Sequence, residues 1–428
     1  MTRLLLSAAL VVALTSSAQT PAPSSLKDFL DSADQQNLER RISAEQRLGA
    51  AAQLTQAWTA LLPALTAQAS WTHNQYPAVV TLPTGGGTPT QLTITPADQL
   101  DAILRVDLPL VDVSRWSRTW TASINLEAAE QRELAMREQV KRQVVGTYYS
   151  LAAARALLQS AQKSMTVAQA QLELQTVRVR SGVVTELDQM RAKAEVERTR
   201  QIVADTTSMV ATTRRSLRTI SGLEAGEIAE LPNDDLHSEA PLEDLESKIT
   251  GLPAIRAAEK DAEVAQSNAS LSRLLLVPNL GAQFTERFTN ATGFIGKVES
   301  YNFGVNLTWR LDGPTLVSPR VAEALGNIAA LATERARLAA RDQVHSDWQR
   351  IQATLIKVQA TGVQVTAAER AASLARERYE AGVATQIDVI TSERDVFQAE
   401  ISQIQARTEL ASARTSLRIS TGLPVIPD

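Results

Sequence analysis

The chain has no cysteine among its 428 residues, so no disulfide, thiolate metal site or cysteine nucleophile enters its chemistry, and no cysteine is expected to carry a lipid anchor. Its three histidines, His73, His237 and His345, are scattered. With no glycine-rich phosphate loop and no metal-ligand spacing, nothing converges on a catalytic, cofactor or metal site, and an enzyme is not expected. A formal charge of -4 offers no basic footprint for nucleic acid. Aromatics are scarce at 4%, while Ala, Gln, Arg, Glu and Leu abound, a balance that suits long helices better than aromatic-rich compact cores. Beyond residue 18 no apolar run approaches the ~20 residues a membrane helix needs. Any part inserted in a membrane must therefore be β-strand.

What is present begins with Arg3, the apolar run Leu4 to Leu14, and Ser16-Ser17-Ala18, which places small residues ahead of a cut after Ala18. Residues 1–18 read as a secretory signal peptide.

The mature chain reads as a duplication. Arg178 to Leu223 aligns without a gap on Arg378 to Leu423, with Gly182/Gly382, Val183/Val383, Thr185/Thr385, Asp188/Asp388, Leu217/Leu417 and Gly222/Gly422 among the identities. These mark helix punctuation. Gly182 and Gly382 suit the left-handed position that closes an incoming helix. Thr185 and Thr385 are N-caps, with Asp188 and Asp388 three residues on completing a capping box. Each stretch is thus expected to be a tight turn between two antiparallel helices. The outgoing helices are on the order of 55 Å long at ~1.5 Å per residue, and the uninterrupted incoming ones reach roughly 90 Å. Val196, Val203, Val210 and Leu217, and Ile390, Phe397 and Ile404 beside Ile387 and Ile401, predict coiled-coil seams. Ser318-Pro319 predicts the start of the second incoming helix, serine as N-cap and proline at the first position.

Ahead of each long helix the pattern becomes partly alternating, predicting strands at about 63–76 and 100–110, then 278–290 and 300–310. Eleven of the 17 aromatics fall between Trp58 and Trp120 or between Phe284 and Trp309, as interfacial girdles of a membrane barrel would require. The organisation expected is a first repeat over 19–230 with its helical hairpin at about 115–222, an acidic connector over 231–245, and a second repeat over 246–428 with its hairpin at about 318–422. The Gly/Thr/Pro-rich insertion between Tyr76 and Asp98 is expected to be an exposed outer loop.

With "PLVDVSRW" at the exit of the first strand pair, "LPAIRAAEKDAEVAQ" and "LVPNLGAQF" before the second, and the duplicated turns, the sequence resembles the TolC-type outer-membrane efflux protein family over residues 26 to 423. The resemblance implies a mainly α protein with a membrane β-barrel portion, a homotrimer giving four strands per chain to one 12-stranded barrel in the outer membrane, continued by a periplasmic α-helical tunnel. It implies a passive exit duct for a tripartite efflux or type I secretion system, coupled through a periplasmic adaptor protein to an inner-membrane pump. Carried over by residue, the adaptor-docking tips are Arg178, Gly182, Val183, Thr185, Leu187 and Asp188, with Arg378, Gly382, Val383, Thr385, Ile387 and Asp388. Arg376, Glu377, Tyr379 and Glu380 are the candidates for closing the tip; their mixed charges depart from an all-acidic selectivity ring. The competing reading is a periplasmic coiled-coil scaffold without a pore, which explains the heptads and leaves the aromatic-rich strand pairs unexplained.

Overall fold

The computed structural model describes residues 25–82, 89–226, 231 and 234–425. The expected signal peptide and the centre of the Tyr76–Asp98 insertion lie outside the described residues. The elements run α1 (Leu26–Gln36), α2 (Leu38–Thr59), β1 (Ala64–His73), β2 (Ala78–Leu82), β3 (Thr90–Thr95), β4 (Asp98–Val111), α3 (Val113–Arg180), α4 (Glu186–Ser221), α5 (Leu242–Ser247), α6 (Pro253–Leu274), β5 (Asn279–Thr289), β6 (Glu299–Thr308), α7 (Gly313–Glu380) and α8 (Gln386–Ser420).

The chain divides into two compact units that cut across the sequence repeats, each drawing on both copies. One comprises the segment ending at Asn37 with Gln143–His237 and Ala353–Ser412; the other comprises Leu38–Arg142, Ser238–Gln352 and the segment from Ala413.

In the first unit α1 carries Phe29 into full burial, its ring 5.8 Å from that of Tyr148. Ala154, Ala372 and Ala399 are fully buried, which suits helix backbones packed close together. α1 also completes the end of α4: Ser32 Oγ donates to the Ser221 carbonyl at 2.7 Å and Asn37 Nδ2 to that of Ile220 at 2.8 Å, satisfying acceptors that a helix end leaves open. Gly222 is left-handed at φ 75°, and a Cβ there would overlap the Gln36 side chain. The first seam follows its heptads, with Val196, Val210 and Leu217 buried and Val203 half-buried. The second departs from them. Burial falls on Val389, Phe397 and Leu410, while Ile390, Ile401 and Ile404 are half-buried and Ile387 is exposed.

In the second unit the four long strands form one antiparallel sheet in the order β1-β4-β5-β6. The alternation in β4 is clear: Leu100, Ala102, Leu104, Val106 and Leu108 share one face, and Gln99, Asp101, Ile103, Arg105 and Asp107 the other. Register then assigns the remaining strands. Leu65, Ala67, Ala69 and Trp71 of β1 stand opposite the apolar set of β4, as do Ala282, Phe284 and Phe288 of β5, while Leu280 pairs with Val111 beyond a bulge; these four oppose Val305, Phe303, Glu299 and Leu307 of β6. On the polar face Arg287 Nη2 reaches Asp101 Oδ1 at 2.6 Å.

Two expectations are corrected. The insertion after Tyr76 is not simply a loop: β2 and β3 pair within it as a separate two-stranded ribbon, the alternation of Val79 to Leu82 and Gln91 to Thr95 being too short to register as strand by sequence. Nor does Ser318-Pro319 begin α7. Asp312 does, its Oδ1 accepting from the Thr315 amide at 2.9 Å, with the carboxyl held at about 2 by its bonds from Thr315 and from Arg310. Pro319 therefore lies inside the helix and cannot donate to the carbonyl four residues back; Ser318 Oγ donates to that Thr315 carbonyl instead, at 3.0 Å. The second half of the 231–245 connector is pinned down, with Trp348 Nε1 donating to the Ala240 carbonyl at 3.1 Å and Leu245 of α5 buried.

Candidate functional site

Both duplicated turns lie in the first unit and close in the same way. The Val183 amide donates to the Arg178 carbonyl at 3.0 Å and the Gly182 amide to that of Val179 at 3.0 Å; the copies at Val383 and Gly382 measure 2.9 and 3.1 Å. This crossed pair is the Schellman closure, with glycine at φ 75° and 77°. Three residues on, the Thr185 amide donates to Asp188 Oδ2 at 3.3 Å and the Thr385 amide to Asp388 Oδ2 at 2.8 Å, each threonine hydroxyl also donating to the same carboxylate. In the second copy the Asp388 amide returns a bond to Thr385 Oγ1 at 3.3 Å, completing the box. The bonds from Thr385 hold the Asp388 carboxyl below its ordinary range, so the turn keeps its negative charge at the positive end of α8.

With the glycine, threonine and aspartate occupied in shaping the backbone, the apolar side chains have no local task. Val183 is 70% exposed and Val383 66%, with Leu187 at 57% and Ile387 at 50%. The two turns thus present an equivalent apolar pair, valine with leucine on one and valine with isoleucine on the other.

The gating candidates separate on inspection. Tyr379 joins the two copies: its hydroxyl donates to Gln175 Oε1 at 3.0 Å, and the Arg178 guanidinium lies 4.8 Å from its ring centroid, a cation over an aromatic face. Arg376 pairs with Glu393 at 2.8 Å, and Glu377 accepts from Ser373 Oγ at 2.9 Å. Glu380 is exposed.

Sequence reading missed the polar groups that lie between copies. Gln175 is fully buried, and its Nε2 has no protein partner; Gln386, the first residue of α8, is 4% exposed with neither side-chain polar atom paired. Nearly three turns along from the caps, Glu195 of α4 receives Arg394 of α8 through Nη2 at 2.5 Å and Nε at 2.9 Å, and Arg198 through Nε at 3.0 Å. Burial pushes the Glu195 carboxyl up, but the bonds from the two arginines outweigh it and leave it lowered. Lys163 of α3 reaches Glu400 of α8 at 2.8 Å, and that bond raises the lysine. A salt-bridge partner 199 positions away has no signal in one sequence.

Of the histidines, His73 bonds Asp98 Oδ1 at 2.8 Å, and His237 lies with Asp234 and Asp235 in an exposed group on the connector. That group is the only cluster of metal-type ligands among the described residues, and it is solvent-facing. No helix among the described residues is long and apolar enough to cross a membrane.

A profile of the family described as Outer membrane efflux protein matches residues 31–223 and 249–423. No curated protein matches the sequence significantly. Among solved structures, the fold is similar to a membrane protein from Pseudomonas aeruginosa (TM-score 0.78, 21% identity, 93% of each chain covered). It is similar also to the outer membrane protein VceC of Vibrio cholerae (0.77, 19%, covering 94% of this chain and 97% of that one). A third match is the CmeC outer membrane channel of Campylobacter jejuni (0.79, 14%, 100% and 96%).

Proposed function

Because the chain belongs to the outer membrane efflux protein family and is an efflux channel rather than an enzyme, we propose that it works as the exit duct of a tripartite efflux or type I secretion system, docked by its two tips on a periplasmic adaptor that couples it to an inner-membrane transporter. The signal peptide expected at 1–18 exports it across the inner membrane. Its four long strands are too few for a membrane barrel, whose smallest single-chain versions have eight, so three copies are required for a 12-stranded one. The energy comes from the transporter.

The observation that carries the docking claim is the exposed apolar pair repeated on two turns whose polar residues are already occupied. Contact falls to Val183, Leu187, Val383 and Ile387, with Arg178 and Arg378 beside them. Gly182, Thr185, Asp188, Gly382, Thr385 and Asp388 hold the shape. Tyr379, bound to Gln175 and Arg178, keeps the two turns together until the adaptor engages; Arg376, Glu377 and Glu380 flank it. A pore-less scaffold would leave the continuous apolar face of β1, β4, β5 and β6 with nothing to cover it.

Val383→Glu tests the docking claim. It leaves the caps untouched and sets an unpaired charge against an apolar partner surface, which is costly. Cross-linking to the adaptor and efflux should both be lost at normal trimer yield. Thr385→Ala removes only a cap, a local cost of about 0.5–2 kcal/mol, and should leave docking largely intact. Normal efflux in Val383→Glu with loss in Thr385→Ala would reduce the turns to connectors.

A further inference from the structure

The sheet ends in two open edges, β1 on one side and β6 on the other. In a hydrocarbon layer neither edge can stay unpaired, because nothing else there satisfies its amides and carbonyls. Both edge strands have ten residues. Their apolar faces are fixed by the internal ladders: Leu65, Ala67, Ala69 and Trp71 on β1, and Tyr301, Phe303, Val305 and Leu307 on β6. A one-residue slip would turn one strand's apolar set toward the polar face, so only registers that keep these two sets together are allowed.

Resting on the trimeric reading above, we infer that β6 of one copy pairs antiparallel with β1 of the next in the end-to-end register, Thr308 opposite Ala64 and Glu299 opposite His73. Three observations support this register; the first and third favour it over a slip of two residues either way, the second over a slip that shortens the advance. First, it leaves no backbone group of either ten-residue strand unpaired, whereas a slip of two strands a pair of residues at each end.

Second, it closes at a workable tilt. Following partners directly across the sheet, Ala64 leads to Asp107, then Gln283, then Gly304. In the inferred register Gly304 faces Gln68 of the next copy, an advance of four residues per protomer. Over three protomers that is about 40 Å of rise at ~3.3 Å per residue against about 58 Å of circumference at ~4.8 Å per strand. The strands then tilt by about 35°, in the range of closed membrane barrels, whereas a slip that halves the advance would leave them at about 19°.

Third, it accounts for the polar residues that interrupt the apolar face. Apart from strand-end residues that face is apolar except for Glu286, whose register partner is Tyr301 of β6 and whose diagonal neighbour is Glu299. On the other edge His73 is the last residue of β1 and is bonded to Asp98. The inferred register sets the partner copy's imidazole directly beside Glu299, so that Asp98, His73 and Glu299 form a row across the seam with Glu286 diagonal to its end. A slip of two breaks the row.

The cysteine-free sequence makes the test direct. In full-length protein in outer membranes, the pairs Val305→Cys with Ala67→Cys, on the apolar face, and Asn306→Cys with Thr66→Cys, on the polar face, should oxidise to covalent dimers and trimers on denaturing gels. The off-register pairs Val305→Cys with Leu65→Cys, and Val305→Cys with Ala69→Cys, should remain mostly monomeric. Mixing chains that each carry one cysteine should give dimers only, which excludes closure within one chain. If trimers form and an off-register pair cross-links best, the register is overturned and the trimeric reading stands. If no pair cross-links and no trimer is found, both fall.

Discussion

The junction of Glu195 with Arg394 and Arg198 offers a measurable link between the two helical hairpins. Glu195 has a side chain only 10% exposed, while Arg394 is 50% and Arg198 36% exposed. The pair is therefore neither a surface ion pair, worth about 0–1 kcal/mol, nor a fully buried one, whose disruption costs about 3–5 kcal/mol. Removing the carboxylate lets both arginines turn to water, which caps the loss; removing Arg394 leaves Glu195 still held by Arg198. A coupling between Glu195 and Arg394 of about 1–2 kcal/mol follows, which multiplies local opening by roughly 5- to 30-fold. The assay is hydrogen exchange on the detergent-solubilised trimer, following backbone amides near Val196 and near Val396 in Glu195→Gln, Arg394→Met and the double variant. Each single change should raise exchange on both helices, and the double should add little to the larger single effect. The pH dependence has a definite sign. Because the folded carboxyl is held below its ordinary value, its stabilisation is present above the unfolded carboxylate range of ~4.3 and is lost as pH falls through the folded value. Acid should therefore erase the difference between wild type and Glu195→Gln. If Arg394→Met speeds exchange only on its own helix, or the two single effects simply add, the hairpins are not coupled here.

Two further predictions rest on backbone chemistry. Gly382→Ala meets only the left-handed penalty, about 1–2 kcal/mol, since a Cβ there has open space, whereas Gly222→Ala adds a collision with Gln36; the second should lower the heat resistance of the trimer clearly more than the first, and equal losses would show that Gln36 yields freely. Ser318→Ala should cost about 0.5–1.5 kcal/mol, because it leaves the Thr315 carbonyl without the hydroxyl that replaces the missing proline donor. In a Pro319→Ala background the same change should be nearly silent in the same melting assay, and an undiminished effect would mean that the hydroxyl bond is not compensating for the proline.

The signals written in the sequence are the local ones. Gly182, Thr185 and Asp188 act on atoms within five residues of themselves, so their order along the chain already specifies a closed helix, a turn and a new helix start. The alternation of β4 is equally local, since successive side chains point to opposite faces whatever lies beyond them. Duplication made both signals readable twice. Local competition was harder to judge: Ser318-Pro319 has the composition of a helix start, but Asp312 six residues earlier supplies a better cap, and the helix tolerates the proline because a neighbouring hydroxyl replaces its donor. The contacts that turn two repeats into one structure could not be read at all. Tyr379 finds Gln175 across 204 positions and Arg394 finds Glu195 across 199, and residue types common on any solvated helix give no hint of which partner the packing will bring within 3 Å. The compact units cut across the repeats for the same reason: sequence similarity records how the chain is punctuated, whereas burial is decided by which helix faces meet, a choice made only when the whole chain is folded.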